Sequence, residues 1–382
     1  MRAIVLLVLL SPLAAASEAV PECKKITSCA QCAESHIHVF GFKENCRWCV
    51  ETKSCGGPFS CPLGKAVVQR DPFKCPLRHS ESKGRRYTDR LGRSVFAIAL
   101  AARDSNATDC LANSRPDVTL VKQYTVECDK AGNNCGAILA VSQEAKAIYI
   151  AYKGSSFDKQ NENCQSFLQS QLFAEFVHGL AAQLGAWEKF VDEAGVITYF
   201  HGAFQRLFVE SGLQEDLIEL RKKHPVYRLW LTGHSLGGSL ASMTALYAAH
   251  HKLIDQSKIR LITFGEPRTG NVAYAKALET EIDFRYRVVK RNDLVTNIPN
   301  SVDPNAILLT PAMFDRQPLF YRYLIHYDNL MAKGDSFKVC ELSDDHGCRN
   351  LAGAVDINDH VTYFNVNHDE YNKARCPKSM LQ

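Results

Sequence analysis

Ser235 lies in the run Gly233-His234-Ser235-Leu236-Gly237-Gly238, which has the spacing G-x-S-x-G. A serine hydroxyl is a weak nucleophile and needs a neighbouring base, itself oriented by an acid. Chemistry of this kind splits a carboxylic ester through a covalent acyl intermediate and needs neither a metal nor an organic cofactor. On a strand-to-helix elbow the chain order is serine, then acid, then histidine. Asp293 follows the apolar run ending Val288-Val289-Lys290, which puts it at the same end of a sheet as the elbow. Asp283 precedes that run and falls at the other end, and Asp303 lies further into the loop. Four histidines follow the acid: His326, His346, His360 and His368. His360 enters an apolar segment from a loop, and by position alone the other three remain open. The developing oxyanion needs preorganised donors. Those expected are the backbone N–H groups of Leu236, next after the nucleophile, and of Ser155, in the turn Lys153-Gly154-Ser155-Ser156. The Ser155 hydroxyl is a possible further donor.

These residues require particular elements beneath them. Ala147 to Tyr152, Tyr227 to Leu231, Ile259 to Phe264 and Phe284 to Val289 read as strands, three of them stopping at a glycine. Val95 to Ala102 and Leu240 to His251 read as helices. Strands alternating with helices predict an α/β fold with a central, mostly parallel sheet covered on both faces. The elbow sits between a strand and a helix, as its chemistry demands. Gly233 and Gly237 flank the serine where backbone and helix must approach closely, with His234 between. Small residues Ser239, Ala241, Ser242 and Ala245 follow, which lets the helix pack close to the sheet.

The chain has 382 residues, a formal charge of +4 and 15 cysteines. The stretch Arg78 to Arg93 alone holds six Lys/Arg and two acids, so the remainder is near neutral. No basic stripe runs along the chain, and a nucleic-acid partner is not expected. Residues 1–18, with Arg2, the apolar run Ala3 to Leu10 and small residues after it, read as a signal peptide too short to anchor in a bilayer. A secreted chain follows, in which cysteines form disulfides. Eight cysteines crowd between Cys23 and Cys75. The pairs Cys29/Cys32 and Cys46/Cys49 have zinc-ligand spacing, but behind a signal peptide disulfides are expected and no metal. The order Cys23, Cys29, Cys32, Cys46-Arg47-Trp48-Cys49, Cys55, Cys61, Cys75 resembles the plexin-semaphorin-integrin (PSI) module. The expected organisation is a PSI-like module over 19–77, a basic linker over 78–90 and an α/β-hydrolase domain over 91–382. No partner of the module can be named from sequence.

From Ala147 to Phe364 the chain resembles the class 3, fungal-type triacylglycerol lipases. The resemblance rests on Tyr152 to Ser156, Tyr199 to Phe204, Gly233 to Gly238, Thr263 to Asn271, Arg287 to Pro299 and Asp359 to Phe364. It implies the α/β-hydrolase fold, Ser235 as nucleophile, Asp293 as acid, His360 as base, Ser155 and Leu236 as oxyanion donors, and a lipid ester met at a lipid–water interface. Two departures stand out. Lys153 replaces a common arginine, and the segment from Phe157 to about Val196 is longer than a fungal lid. The triad does not separate an acylglycerol lipase from a phospholipase, galactolipase or feruloyl esterase. A binding protein built on a degenerate hydrolase is the non-catalytic alternative.

Of the seven later cysteines, Cys128 with Cys135 and Cys340 with Cys348 are spaced to close small loops, the latter resembling a fungal disulfide loop. Cys110 with Cys376 would tie the domain ends as in fungal relatives, which leaves Cys164 over. Asn106-Ala107-Thr108 is a glycosylation acceptor. Lys83 to Arg86 has the look of a processing site. A lid candidate follows Ser156, with Phe167, Leu168, Leu172 and Phe173, then Phe176, Val177 and Leu180, on one helical face that either covers the Ser235 pocket or packs permanently on the core, since core helices show the same pattern.

Overall fold

The computed structural model describes residues 22–62, 67–77, 86–155, 171–299, 317–343, 348 and 355–381. The chain divides into two compact units, Met1–Cys75 and Pro76–Gln382.

A region as small as the first unit cannot bury enough apolar surface to hold itself together and needs covalent staples. All eight of its cysteines are paired, Cys23–Cys46, Cys29–Cys75, Cys32–Cys55 and Cys49–Cys61, so no thiolate remains for zinc. Four of these cysteines, with Ala33, Trp48 and Val68, form its core. A hairpin of His36–Val39 and Phe42–Asn45 and a three-stranded sheet centred on Arg47–Cys49 complete the described part.

The second unit is built on eight strands: β1 (Thr119–Glu127), β2 (Asn134–Ser142), β3 (Ala147–Tyr152), β4 (Arg228–His234), β5 (Ile259–Phe264), β6 (Arg285–Lys290), β7 (Leu324–Tyr327) and β8 (Lys338–Cys340). They lie in simple order from β8 at one edge to β1 at the other. From β3 to β7 every neighbour is parallel, and β1, β2 and β8 add antiparallel edges. The sheet is therefore mixed, with the expected parallel centre. Its helices are α1 (Asp89–Ala101), α2 (Ala107–Ser114), α3 (Gln171–Gln183), α4 (Thr198–Phe204), α5 (Leu213–Lys223), α6 (Leu236–His250), α7 (Val272–Glu281), α8 (Ile357–Val361) and α9 (His368–Lys373).

Alternation along the strands places Ile138, Tyr149, Ile262, Tyr286 and Ile325 in one core with the apolar side of α1. Thr263, one residue on from Ile262, approaches Gly238 of α6, so α1 and α6 cover opposite faces. The strands are buried on both sides, which explains why they read as near-continuous apolar runs. Residues 86–90, expected in the linker, are part of this unit. Tyr87 is buried and bonds the Tyr327 hydroxyl, and the Thr88 hydroxyl caps α1 by accepting from Leu91 N at 3.2 Å. Leu77, expected at the end of the module, donates its N–H to Glu341 O in this same unit. The Cys110–Cys376, Cys128–Cys135 and Cys340–Cys348 bridges are all present. Cys164 and residues 1–18 lie outside the described residues. No helix among the described residues is long and apolar enough to cross a membrane.

Candidate functional site

The site lies at the carboxyl ends of β3, β4 and β6. Strand β4 runs one residue past Gly233, through His234, before the chain reverses into α6. Ser235 occupies the reversal with φ +59°, in the left-handed region that side chains other than glycine rarely adopt. The flanking glycines explain how the turn closes. A Cβ on Gly233 would lie 2.2 Å from the Gly237 backbone, and one on Gly237 would lie 2.2 Å from Tyr152 O. Leu236 opens α6, so its N–H has no carbonyl of its own helix to meet.

Asp293 lies in the loop after β6 and is fully buried. His360 Nδ1 lies 2.9 and 3.0 Å from its two carboxylate oxygens. The Tyr363 hydroxyl donates to Asp293 Oδ2 at 2.7 Å and Val295 N donates to Oδ1 at 2.9 Å. Two loops far apart in sequence are joined to make this pair. Asp356 N donates to Asn292 O and Leu294 N to Asp356 O, while Asn292 N donates to the buried Asp359 carboxylate. Gly265, with φ +58°, closes the floor. A Cβ there would meet Asp293 Oδ2 at 2.9 Å and the His360 ring at 3.0 Å. A carboxylate beside Nδ1 fixes the imidazole tautomer with Nε2 available to accept a proton.

Ser235 and His360 line one open cleft together with Arg103, Ser155, His234, Val295, Ile357, Val361, His368 and Asp369. Among the described residues no hydrogen bond yet joins the Ser235 hydroxyl to His360. Such bonds commonly tighten only when substrate is bound.

The remaining elbow residue, His234, has its own task. It is buried, and its Nε2 lies 2.9 Å from His360 O. A carbonyl can only accept, so Nε2 carries the proton. Burial first, then the nearby His360, His368 and Arg103, push the His234 pKa well below the usual histidine range. It is thus a neutral strut that holds the His360 loop onto the elbow.

On the other side, Ser155 follows β3 at the lip of the cleft. Its hydroxyl donates to Glu175 Oε1 of α3 rather than standing free as a second donor. Glu175 is buried, and burial pushes its carboxyl up to about 8, with the Asp129 charge adding to the shift and the Ser155 bond opposing it. Neither Glu175 nor Arg103 was picked out by motif. A signal for the first was present, because Glu175 is the only charged residue in α3.

Other candidates are placed elsewhere. His326 is buried in β7 with Nε2 3.1 Å from Arg291 O, and Asp283 is exposed before β6. His368 lines the cleft at the start of α9, with its ring 4.7 Å from that of His234. His346 and Asp303 lie outside the described residues. So do Phe167 and Leu168 and the side chains of Leu172 and Phe173. The rest of the expected lid face departs from expectation. Phe176, Val177 and Leu180 are each more than 40% exposed, and α3 instead turns Glu175 and Gly179 inward. The reason is the Ser155–Glu175 bond, which rotates the apolar stripe toward solvent. Asn106 is exposed and caps α2 through Oδ1, accepting from Asp109 N at 3.2 Å.

On an α/β-hydrolase sheet this arrangement is that of a serine-dependent carboxylic ester hydrolase. The comparisons with known proteins narrow the class. Residues 165–302 match the family model Lipase (class 3), a range that contains Ser235 and Asp293. Lipase ZK262.3 of Caenorhabditis elegans is 28% identical over 318 residues, 77% of this chain and 84% of its own. A secreted mono- and diacylglycerol lipase of Fusarium solani is 24% identical over 295 residues, 76% of this chain and 75% of its own. Among solved structures, lipase II from Rhizopus niveus superposes with a TM-score of 0.55 at 20% identity, covering 73% of this chain and 95% of that one, a likeness of fold. Together these matches support the lipase family.

Proposed function

We propose that the chain is a secreted lipase that hydrolyses acylglycerol esters through an acyl-enzyme. The observation that carries the reading is the buried Asp293–His360 pair, bonded at 2.9 and 3.0 Å, in one cleft with the strained Ser235. His360 takes the proton of Ser235 as the hydroxyl attacks the ester carbonyl. Asp293 holds the tautomer and stabilises the imidazolium that forms. The N–H groups of Leu236 and Ser155 receive the oxyanion, and the Glu175 bond fixes the side chain of Ser155 and so the direction of its backbone. His360 then returns the proton to the leaving alcohol, and water activated by the same imidazole releases the fatty acid.

Secretion rests on the signal-like residues 1–18 and agrees with seven disulfides among the described residues. An interfacial substrate is supported by the apolar stripe Phe176, Val177, Leu180 and Leu184, exposed on and just after the helix that carries Glu175. The PSI-like reading of the first unit rests on cysteine order alone. The test is hydrolysis of emulsified dioleoylglycerol against a soluble short-chain ester. A rate on glyceride that rises steeply once droplets form supports a lipase, and activity confined to the soluble ester would reduce the reading to a general esterase.

A further inference from the structure

One cation in the cleft has no part in the mechanism above. Arg103 follows the end of α1, its N–H bonded to Leu100 O, and its side chain lines the cleft with Ser155, Ser235, His360 and His368. Arg103 Nη1 lies 3.3 Å from the position of a Cβ on Gly154, and Ser235 Cβ lies 3.2 Å from the same point. Arg103 Nη1 and Ser235 Cβ are thus no further apart than those two distances together. The Arg103 side chain is only 12% exposed, yet its charged partner among the described residues is Asp369 alone, through one Nη2–Oδ1 contact of 3.4 Å. Asp369 itself is 46% exposed.

Arg115 shows what a guanidinium with a purely structural role looks like. It meets Asp117 with two bonds of 2.7 and 2.8 Å and donates twice more to Ser94. Arg103 has one long contact for five N–H donors, so a planar fork is left facing the cleft. Lys153, half-buried beside the oxyanion turn, adds a second positive charge close enough to Arg103 for each to feel the other. A neutral acylglycerol has no group that needs such a fork.

We propose that Arg103 forms a subsite for the phosphodiester of a glycerophospholipid, and that the enzyme cleaves a fatty acyl ester of such lipids next to that phosphate. This rests on the ester-hydrolase reading of the same cleft and adds a second substrate class to the acylglycerols. The bond broken is the acyl carbon–oxygen bond, with water supplying the hydroxide. The products are a fatty acid and a lysophospholipid, and the phosphate is recognised and left intact. The glycerol backbone carries phosphate and scissile ester only a few bonds apart, a span that suits the short distance between Arg103 and Ser235. Arginine is the side chain whose geometry matches two phosphate oxygens at once.

The experiment compares dioleoylphosphatidylcholine with dioleoylglycerol in the same nonionic detergent micelles. Both lipids carry no net charge, so surface attraction is matched. Wild type should cleave both. Arg103→Gln should lower kcat/KM on the phospholipid, relative to the diacylglycerol, by about tenfold or more, and Arg103→Lys should restore part of the difference. An unmoved ratio would overturn the proposal. So would equal losses on both lipids, which would make Arg103 a support for the oxyanion. Failure of wild type to cleave the phospholipid while it cleaves the diacylglycerol would also overturn it. So would relief of oleate inhibition without a change in ratio, which would assign the cation to the product carboxylate. Absence of turnover on either lipid, with no phosphonate adduct on Ser235, would sink the ester-hydrolase reading itself and this proposal with it.

Discussion

The two sides of the Ser235 cleft are built differently. On the acid–base side every group has several holds. Asp293 accepts from His360, Tyr363 and Val295, the His234 ring ties the His360 backbone to the elbow, and Gly265 leaves no room for the pair to shift. On the oxyanion side the described hold on the Ser155 side chain is a single bond, to a glutamate on another helix. The difference teaches where geometry must be fixed before substrate arrives and where it can be assembled. A tautomer must be right at all times, whereas oxyanion donors matter only when charge develops. A side hung on one helix can move with that helix when its apolar stripe meets lipid.

The strongest blow to the comparison falls on its rigid side. Asp293→Asn should cost about 10⁴-fold in kcat on any ester, because the amide leaves His360 in the wrong tautomer. Steady-state kinetics with a soluble ester checks this, and a loss below tenfold would show that the acid lies elsewhere.

On the other side, Glu175→Ala should lower kcat by about 10² at little change in KM, the scale of a mispositioned oxyanion donor. Glu175→Gln keeps an acceptor for the Ser155 hydroxyl and should recover most of the rate. Equal loss in both variants would argue for a charge effect rather than positioning. The same residue predicts a pH effect on stability. Its folded pKa, about 8, is raised above the ordinary glutamate value of 4.5. Its contribution is therefore fully present below pH 4.5 and is lost as pH rises through about 8. Chemical denaturation across that range should show a decline in wild type that is smaller in Glu175→Gln. Parallel curves would mean that the carboxyl is already ionised in the fold.

Redundancy predicts smaller effects. Tyr363→Phe removes one of several bonds to Asp293 and should cost about tenfold or less in kcat, with about 1 kcal/mol of stability. A loss near that of Asp293→Asn would show that the tyrosine acts directly. Smallest for soluble substrate is Phe176→Ser. The side chain is 41% exposed, so melting temperature and soluble-ester turnover should barely move, while hydrolysis of emulsified lipid falls several-fold. Losses on both substrates together with a lower melting temperature would make it a packing residue.

The rigid side was largely legible in the sequence. An elbow needs glycines at fixed offsets, so Gly233 and Gly237 betray Ser235. Asp293 follows a strand whose apolar run is plain, because a parallel strand is buried on both faces. His360 was not separable from three other histidines by position, since its role depends on a loop contact through Asn292 and Asp356 that leaves no local pattern. The start of α1 is hidden in the sequence because its first turns, Asp89 to Ser94, are mostly polar, and Thr88 rather than an apolar stripe marks the beginning. The oxyanion side is less legible in the sequence. Periodicity put the apolar residues of α3 on the protein, whereas one carboxyl bonded to Ser155 turns that face outward. Arg103 carries no signal in its own neighbourhood, as its place in the cleft comes from the packing of α1 against the sheet.

The most direct test is covalent. A lipid-like fluorophosphonate ester mimics the tetrahedral intermediate and traps the residue that attacks it. Incubated with the intact chain, it should abolish ester hydrolysis with one equivalent bound, peptide mass mapping should find the adduct on Ser235, and Ser235→Ala should neither react nor turn over. Turnover retained by Ser235→Ala, or an adduct that maps to another residue, would contradict the account.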